Sequence, residues 1–207
     1  MVDTQVRPSD VTKFPIIDAM LAVPREAFVP EGKLEAAYIG ENLDVGGGRV
    51  LLEPRTLAKM LDGLDIEPDE VVLDVACGLG YSTAVLAHLG EFVVGLEEDE
   101  ALAEDAQRIL SEQGVDNAAV VSGPLTEGHA KSGPYDVIIL QGGVEQVPTA
   151  LTDQLKEGGR MACLFAEGAL GVARIGYKID GAMTWRFSFN AAAPVLAGFE
   201  AHRAFTL

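Results

Sequence analysis

Apolar and polar positions along the chain fall into two textures. Between about residues 65 and 165, short β-branched runs alternate with stretches whose apolar residues recur every three or four positions. EVVLDV (70–75) reads as a strand. It is followed by the turn ACGLG and the helical stretch YSTAVLAHL. EFVVGL (91–96) is the next strand, and DEALAEDAQRILSEQG the next helix. There Asp99 is the expected N-cap, Leu102, Ala106, Ile109 and Leu110 form one face, and Gly114 is the stop. AAVVS (118–122), YDVIIL (135–140) and GRMACLFA (159–166) read as further strands, with a Pro-started helix, PTALTDQL, before the last. Strands with near-continuous apolar runs, alternating with helices, predict an α/β fold: a mostly parallel sheet covered by helices on both faces.

The flanks differ from this core. Residues 1–64 hold Pro-punctuated helical pieces, around FPIIDAMLAV, GKLEAAY and PRTLAKMLDGL, with a break at Gly46-Gly47-Gly48. Residues 166–207 read as strands, VARIGYKI, MTWRFSF and AHRAFTL, the first two joined by the hairpin signal Asp180-Gly181. In MTWRFSF the period-2 spacing of Trp185, Phe187 and Phe189 predicts one face of a strand. The expected organisation is a single domain over 1–207, with an N-terminal helical cover (1–64), a core (65–165) and antiparallel C-terminal edge strands (166–207).

Composition narrows the function classes. The 207 residues include 32 acidic and 15 basic side chains, a net charge of −17. Such a surface repels phosphate backbones and anionic lipid head groups, so nucleic acid and membrane are not the expected partners. Cys77 and Cys163 are too few and too far apart for a disulfide framework. His88, His129 and His202 are scattered without metal-ligand spacing, so no metal is expected. No apolar signal segment opens the chain and no uncharged stretch reaches the ~20 residues of a membrane span. The expectation is a cytoplasmic protein, monomeric in the simplest case.

The stretch richest in chemistry is Asp74-Val75-Ala76-Cys77-Gly78-Leu79-Gly80, at the end of one strand and the opening of a helix. Small residues there let backbone approach a ligand, and the first βα turn of an open parallel sheet is where ligands bind. Glu97 ends the next strand, 23 residues after Asp74, where a carboxylate can grip two ribose hydroxyls. A dinucleotide fingerprint asks for a third glycine where Thr83 stands, and does not explain an acid at the strand end. The order acid-x-small-x-Gly-x-Gly instead matches the loop of S-adenosylmethionine enzymes, whose ligand is cationic and carries no phosphate. A bare tight turn is the plainer alternative. A nucleophile elbow at Ser82 is disfavoured, because the strand ends about six residues too early.

These segments together carry a resemblance. AMLAVPREAFVP (19–30), Ala37-Tyr38 with ENLDVGGG, VLDVACGLGYSTAVLAHLG and PYDVIILQGGVEQVPTALTDQLKEGGRM (134–161) occur in the order found in the protein-L-isoaspartate O-methyltransferases. The chain resembles that family over about residues 6–165. The resemblance implies a Rossmann-like S-adenosylmethionine methyltransferase sheet and methyl transfer to the carboxylate of isomerised aspartyl residues in proteins or peptides, a repair reaction that leaves S-adenosylhomocysteine. It assigns the cofactor to Asp74, Ala76, Cys77, Gly78, Gly80, Tyr81, Glu97, Gly123 and Leu125, and the acceptor to Leu51, Leu52, Gly142 and Gly143. No catalytic residue is assigned, since a carboxylate nucleophile is already ionised at neutral pH.

The sequence departs from the family pattern at two places. Val50-Leu51-Leu52-Glu53-Pro54 replaces a T-I-S-Q-P-type loop, so Leu52 stands where the family has a hydroxyl. Gly123-Pro124-Leu125 replaces a G-D-G turn, so Pro124 stands where an acid reads adenine. Three functions stay open at this point: an isoaspartyl methyltransferase, a methyltransferase with another acceptor, and a non-catalytic S-adenosylmethionine-binding protein.

Overall fold

Strands β3 (Val71–Val75), β4 (Phe92–Glu97), β5 (Ala118–Ser122), β6 (Tyr135–Val144) and β7 (Leu155–Glu167) are mutually parallel in a seven-stranded sheet. The computed structural model that defines them describes residues 1–167 and 170–201. The order is β5-β4-β3-β6-β7, extended by β8 (Leu170–Ile179) and β9 (Ala182–Asn190), both antiparallel to their neighbours. The direction of strand progression reverses between β3 and β6, so a crevice forms beyond the carboxyl ends of these central strands.

Each central strand buries both faces, which explains its unbroken apolar run. Val72 and Val137 join a core under helices α1 (Phe14–Ala22), α2 (Pro54–Leu64), α3 (Tyr81–Ala87) and α4 (Glu100–Glu112). Leu73, Val75, Ile138 and Leu140 point the other way, against Leu151 of α5 (Thr149–Asp153) and against Leu196 and Phe199 of the C-terminal segment. Helix α5 is shorter than PTALTDQL suggests, because the chain already pairs with β6 at Leu155.

Asp99 caps α4 as expected: its Oδ1 accepts from the amides of Ala101 (3.0 Å) and Leu102 (3.1 Å). Asp99→Ala is expected to cost about 1 kcal/mol of stability, measurable as a lowered urea midpoint with an unchanged slope.

The edge departs from the pattern in one respect. Trp185 and Phe189 do not share a face. A bulge near Ser188 sets Phe187 opposite Arg174 and Phe189 opposite Ala173, and an extra residue reverses the alternation beyond it. Trp185 therefore meets Phe165 edge-on, Phe189 enters the core on the opposite side, and Phe187 is left exposed. The strand expected at 201–207 falls, from His202 onward, outside the described residues. The Gly46-Gly47-Gly48 break is the turn of a separate two-stranded hairpin, β1 (Leu43–Gly46) with β2 (Arg49–Leu51). All three glycines have left-handed φ, 96°, 59° and 73°, which only glycine adopts without strain. Among the described residues, no helix is long and apolar enough to cross a membrane, and no group of three or more His, Cys, Asp or Glu side chains could hold a metal.

Candidate functional site

Two carboxylates end adjacent strands at the crevice. Asp74, in β3, is fully buried. Its Oδ2 accepts from the hydroxyls of Ser82 (2.6 Å) and Thr83 (2.7 Å), and its Oδ1 from Gln141 Nε2 (2.7 Å). It therefore ties the first turn of α3 to the end of β6. Burial dominates its proton affinity and raises its pKa to about 6; the three hydrogen bonds oppose that rise, and the charge of Glu97 adds to it.

The loop between the carboxylates is folded for close approach. Gly78 and Gly80 adopt φ of 56° and 91°, and Ala76 is held at 63°, a region that costs an L-residue about 1–2 kcal/mol. The amides of Ala76 and Cys77 donate to the Leu96 carbonyl at 2.9 and 3.2 Å, so the loop is laced to the end of β4. Cys77 is buried, and burial first, then the charges of Asp74 and Glu97, pushes its thiol pKa up. Its environment is the opposite of one that makes a reactive thiolate. Tyr81 turns away from the crevice: its ring lies under the Arg25 guanidinium (4.9 Å) and edge-on to Phe28.

Glu97 closes β4, fully buried, and its carboxylate is crowded with donors. The amides of Gly78 (3.0 Å), Glu98 (2.8 Å) and Asp99 (3.1 Å) point at it. The guanidinium of Arg49, 5% exposed, completes the set: Nε lies 3.0 and 3.1 Å from the two oxygens and Nη2 lies 2.9 Å from Oε1. Arg49 reaches there because the β1–β2 hairpin lies over the glycine loop. A Cβ on Gly78 would sit 3.5 Å from Val45 Cγ2 and 3.7 Å from Arg49 Cβ.

The remaining expected positions are placed as follows. Leu51 and Leu52 are buried in the core on the helix side, and the Leu52 carbonyl accepts from Arg25 Nη2 at 2.7 Å. Gly142 and Gly143 are covered by the C-terminal segment: a Cβ would lie 2.5 Å from Leu196 Cδ2 and from the Ala193 carbonyl oxygen, respectively. Gly123 donates its amide to the Glu97 carbonyl (3.0 Å), Pro124 is exposed, and Leu125 is buried in the second core. The structure thus gathers Asp74, Ala76, Cys77, Gly78, Gly80, Glu97 and Gly123 around the strand ends, and sends Tyr81, Leu52 and Leu125 into packing. Arg49 and Gln141 are central to this geometry but carry no local signature. The nearest hints are the glycine run before Arg49 and the glycine pair after Gln141.

The donor set suits an adenosyl ligand on two counts. Glu97 offers two oxygens at the strand end beside a left-handed glycine loop, and Asp74, buried at the same strand ends, adds negative charge that favours a cationic ligand. The condition is that Arg49 yields its place.

Comparison with known proteins converges on one family. The family model described as protein-L-isoaspartate(D-aspartate) O-methyltransferase matches residues 3–173. Proteins named protein-L-isoaspartate O-methyltransferase from Syntrophus aciditrophicus and Vibrio campbellii are each 38% identical, over 78% and 70% of this chain and 74% and 70% of their own. A solved protein-L-isoaspartate O-methyltransferase superposes with a TM-score of 0.82 at 26% identity, over 93% of this chain and 63% of that longer one. A Plasmodium falciparum structure, titled a putative member in complex with S-adenosyl-L-homocysteine, superposes at 0.79 with 20% identity, over 92% of this chain and 94% of its own, and supports the fold. By the extent of the family match and the identity of these relatives, the chain belongs to the protein-L-isoaspartate O-methyltransferase family.

Proposed function

We propose that this chain transfers a methyl group from S-adenosylmethionine to the side-chain or α-carboxylate of isomerised aspartyl residues in proteins, the ester then cyclising without further help from the protein. The observation that carries this reading is the pair of buried carboxylates, Asp74 and Glu97, framing a left-handed glycine loop at the switch point of the sheet in a chain of this family. The cofactor supplies an activated methyl on a sulfonium. What remains for the protein is alignment and exclusion of water. Glu97 would hold the ribose hydroxyls, and Gly78 and Gly80 would admit the cofactor against backbone. Gly123 and the backbone of Leu125 would hold the adenine. Asp74 acts as a positioning group: through Ser82, Thr83 and Gln141 it fixes the start of α3 against β6. The acceptor carboxylate is ionised at neutral pH, so the chemistry asks for no general base. Buried unpaired thiols at Cys77 and Cys163 fit a reducing compartment, the cytoplasm.

One observation favours a second reading, a methyltransferase with a different acceptor. Leu52 stands at the family's hydroxyl position and its side chain is buried in the core, so it offers an acceptor no hydrogen bond. The test is calorimetric titration with S-adenosylmethionine together with incorporation of labelled methyl into an isoaspartyl peptide. Binding and incorporation are expected. Binding without incorporation would select the second reading, and no binding would end both.

A further inference from the structure

The Glu97 carboxylate cannot serve Arg49 and a ribose together. A carboxylate has about four lone-pair sites, and three donors, the amides of Gly78, Glu98 and Asp99, are fixed there by the fold of the loop and strand. With those three in place about one site is left, so room for a ribose hydroxyl comes only from the donor that can leave. Arg49 is that donor. It rides on a hairpin separate from the main sheet, paired at only three positions, with three exposed left-handed glycines at its turn. A two-stranded hairpin of this size has little stability of its own.

The guanidinium that leaves is a carboxylate receptor. It already grips one carboxylate through Nε and Nη2, the planar fork that suits this group. Arg49 is the one basic residue in the 43–53 segment, and it directly precedes Val50-Leu51-Leu52, the acceptor loop whose family hydroxyl is missing. In a chain of net charge −17, an anionic acceptor needs a local cation near the transferred methyl.

We propose that Arg49 is the acceptor-binding residue of this enzyme, held on Glu97 until the cofactor ribose displaces it and then free to pair with the carboxylate to be methylated. The proposal rests on the methyltransferase reading above and adds two things to it. Cofactor must bind before acceptor, and the carboxylate specificity that Leu52 cannot supply comes from Arg49. The exchange also keeps the buried Glu97 charge partnered in both states, by guanidinium or by hydroxyls.

The test measures two affinities on wild type, Arg49→Gln and Arg49→Lys. One is the Kd of S-adenosylhomocysteine. The other is the Kd of an isoaspartyl peptide for protein saturated with S-adenosylhomocysteine. Arg49→Gln is expected to bind S-adenosylhomocysteine roughly tenfold tighter and the peptide roughly tenfold weaker, the scale of one charge-assisted hydrogen bond. Arg49→Lys should fall between for both. In wild type, S-adenosylhomocysteine should speed amide hydrogen exchange over residues 43–51, as the hairpin lets go. A residue that only supports the fold would weaken both ligands together, so the opposite signs are the signature. If wild type binds S-adenosylhomocysteine and Arg49→Gln binds it no tighter, with hairpin exchange unchanged, the displacement is overturned while the methyltransferase reading stands. Unchanged peptide affinity in Arg49→Gln overturns the acceptor role. Failure of wild type to bind S-adenosylhomocysteine removes the proposal and the reading beneath it.

Discussion

Glu97→Ala is expected to destabilise the protein by about 3–5 kcal/mol, the usual effect of removing one partner from a buried ion pair, and to abolish S-adenosylhomocysteine binding. The loss has two sources. Arg49 remains, 5% exposed, with its carboxylate gone. The amides of Gly78, Glu98 and Asp99 also lose their acceptor, and the buried one, on Gly78, costs about 1–3 kcal/mol before relaxation if left unsatisfied. Since a domain of this kind is stable by only ~5–15 kcal/mol, the change should be plain in urea unfolding at 25 °C. The pair's own energetics predict a rescue. In the double variant Arg49→Gln/Glu97→Gln neither charge of the pair remains, and the single side-chain amide oxygen introduced in place of the Glu97 carboxylate can still accept from the Glu98 and Asp99 amides, which share one carboxylate oxygen in the wild type. This double variant should therefore retain more than half of the stability lost in Glu97→Ala. A cost below about 1 kcal/mol for Glu97→Ala, the range of an exposed pair, would mean that Arg49 and Glu97 are not buried together in solution.

The parts of this site that were legible in the sequence are the local ones. A strand-end acid, a small-residue loop and a helix start are contiguous from Asp74 to Ala84, and backbone geometry follows from such residues within a few positions. The alternation of apolar runs showed the succession of core strands and helices along the chain for the same reason. What escaped is what depends on distance along the chain. Arg49 meets Glu97 across 48 residues and Gln141 meets Asp74 across 67, and nothing in a window around either residue announces its partner. Facing was the other blind spot. Phe189 follows a bulge that inverts a period-2 reading. There a single-residue displacement decides which side of the strand the side chain occupies. The family resemblance supplied the expected residues of the site. It did not supply the guanidinium that closes it.

Asp74→Asn is expected to flatten the pH dependence of stability between about pH 4 and pH 6. The Asp74 carboxyl titrates at about 6 in the folded chain against 3.8 as its ordinary value, mainly because burial disfavours the charged form. A raised folded pKa means that the folded state holds the proton more tightly than the unfolded one. Its contribution is fully present below about pH 3.8, declines as pH rises, and is gone above the folded value of about 6. At ~1.4 kcal/mol per pKa unit, roughly two units amount to about 3 kcal/mol. Asp44, Asp65 and Asp136 are shifted the opposite way, downward, and their contributions are lost only as pH falls below the ordinary carboxylate range. They leave the pH 4–6 window to Asp74. Asparagine suits the site: its oxygen can keep the Gln141 bond, and its amide can donate to the Ser82 and Thr83 hydroxyls, which accept as readily as they donate. Urea unfolding of both proteins at about pH 4.5 and 7 should therefore show Asp74→Asn gaining on wild type as pH rises. Parallel pH profiles would mean that the three hydrogen bonds outweigh burial and hold Asp74 ionised throughout. Asp74 would then fix α3 as a full charge, and Asp74→Asn would weaken cofactor binding at every pH.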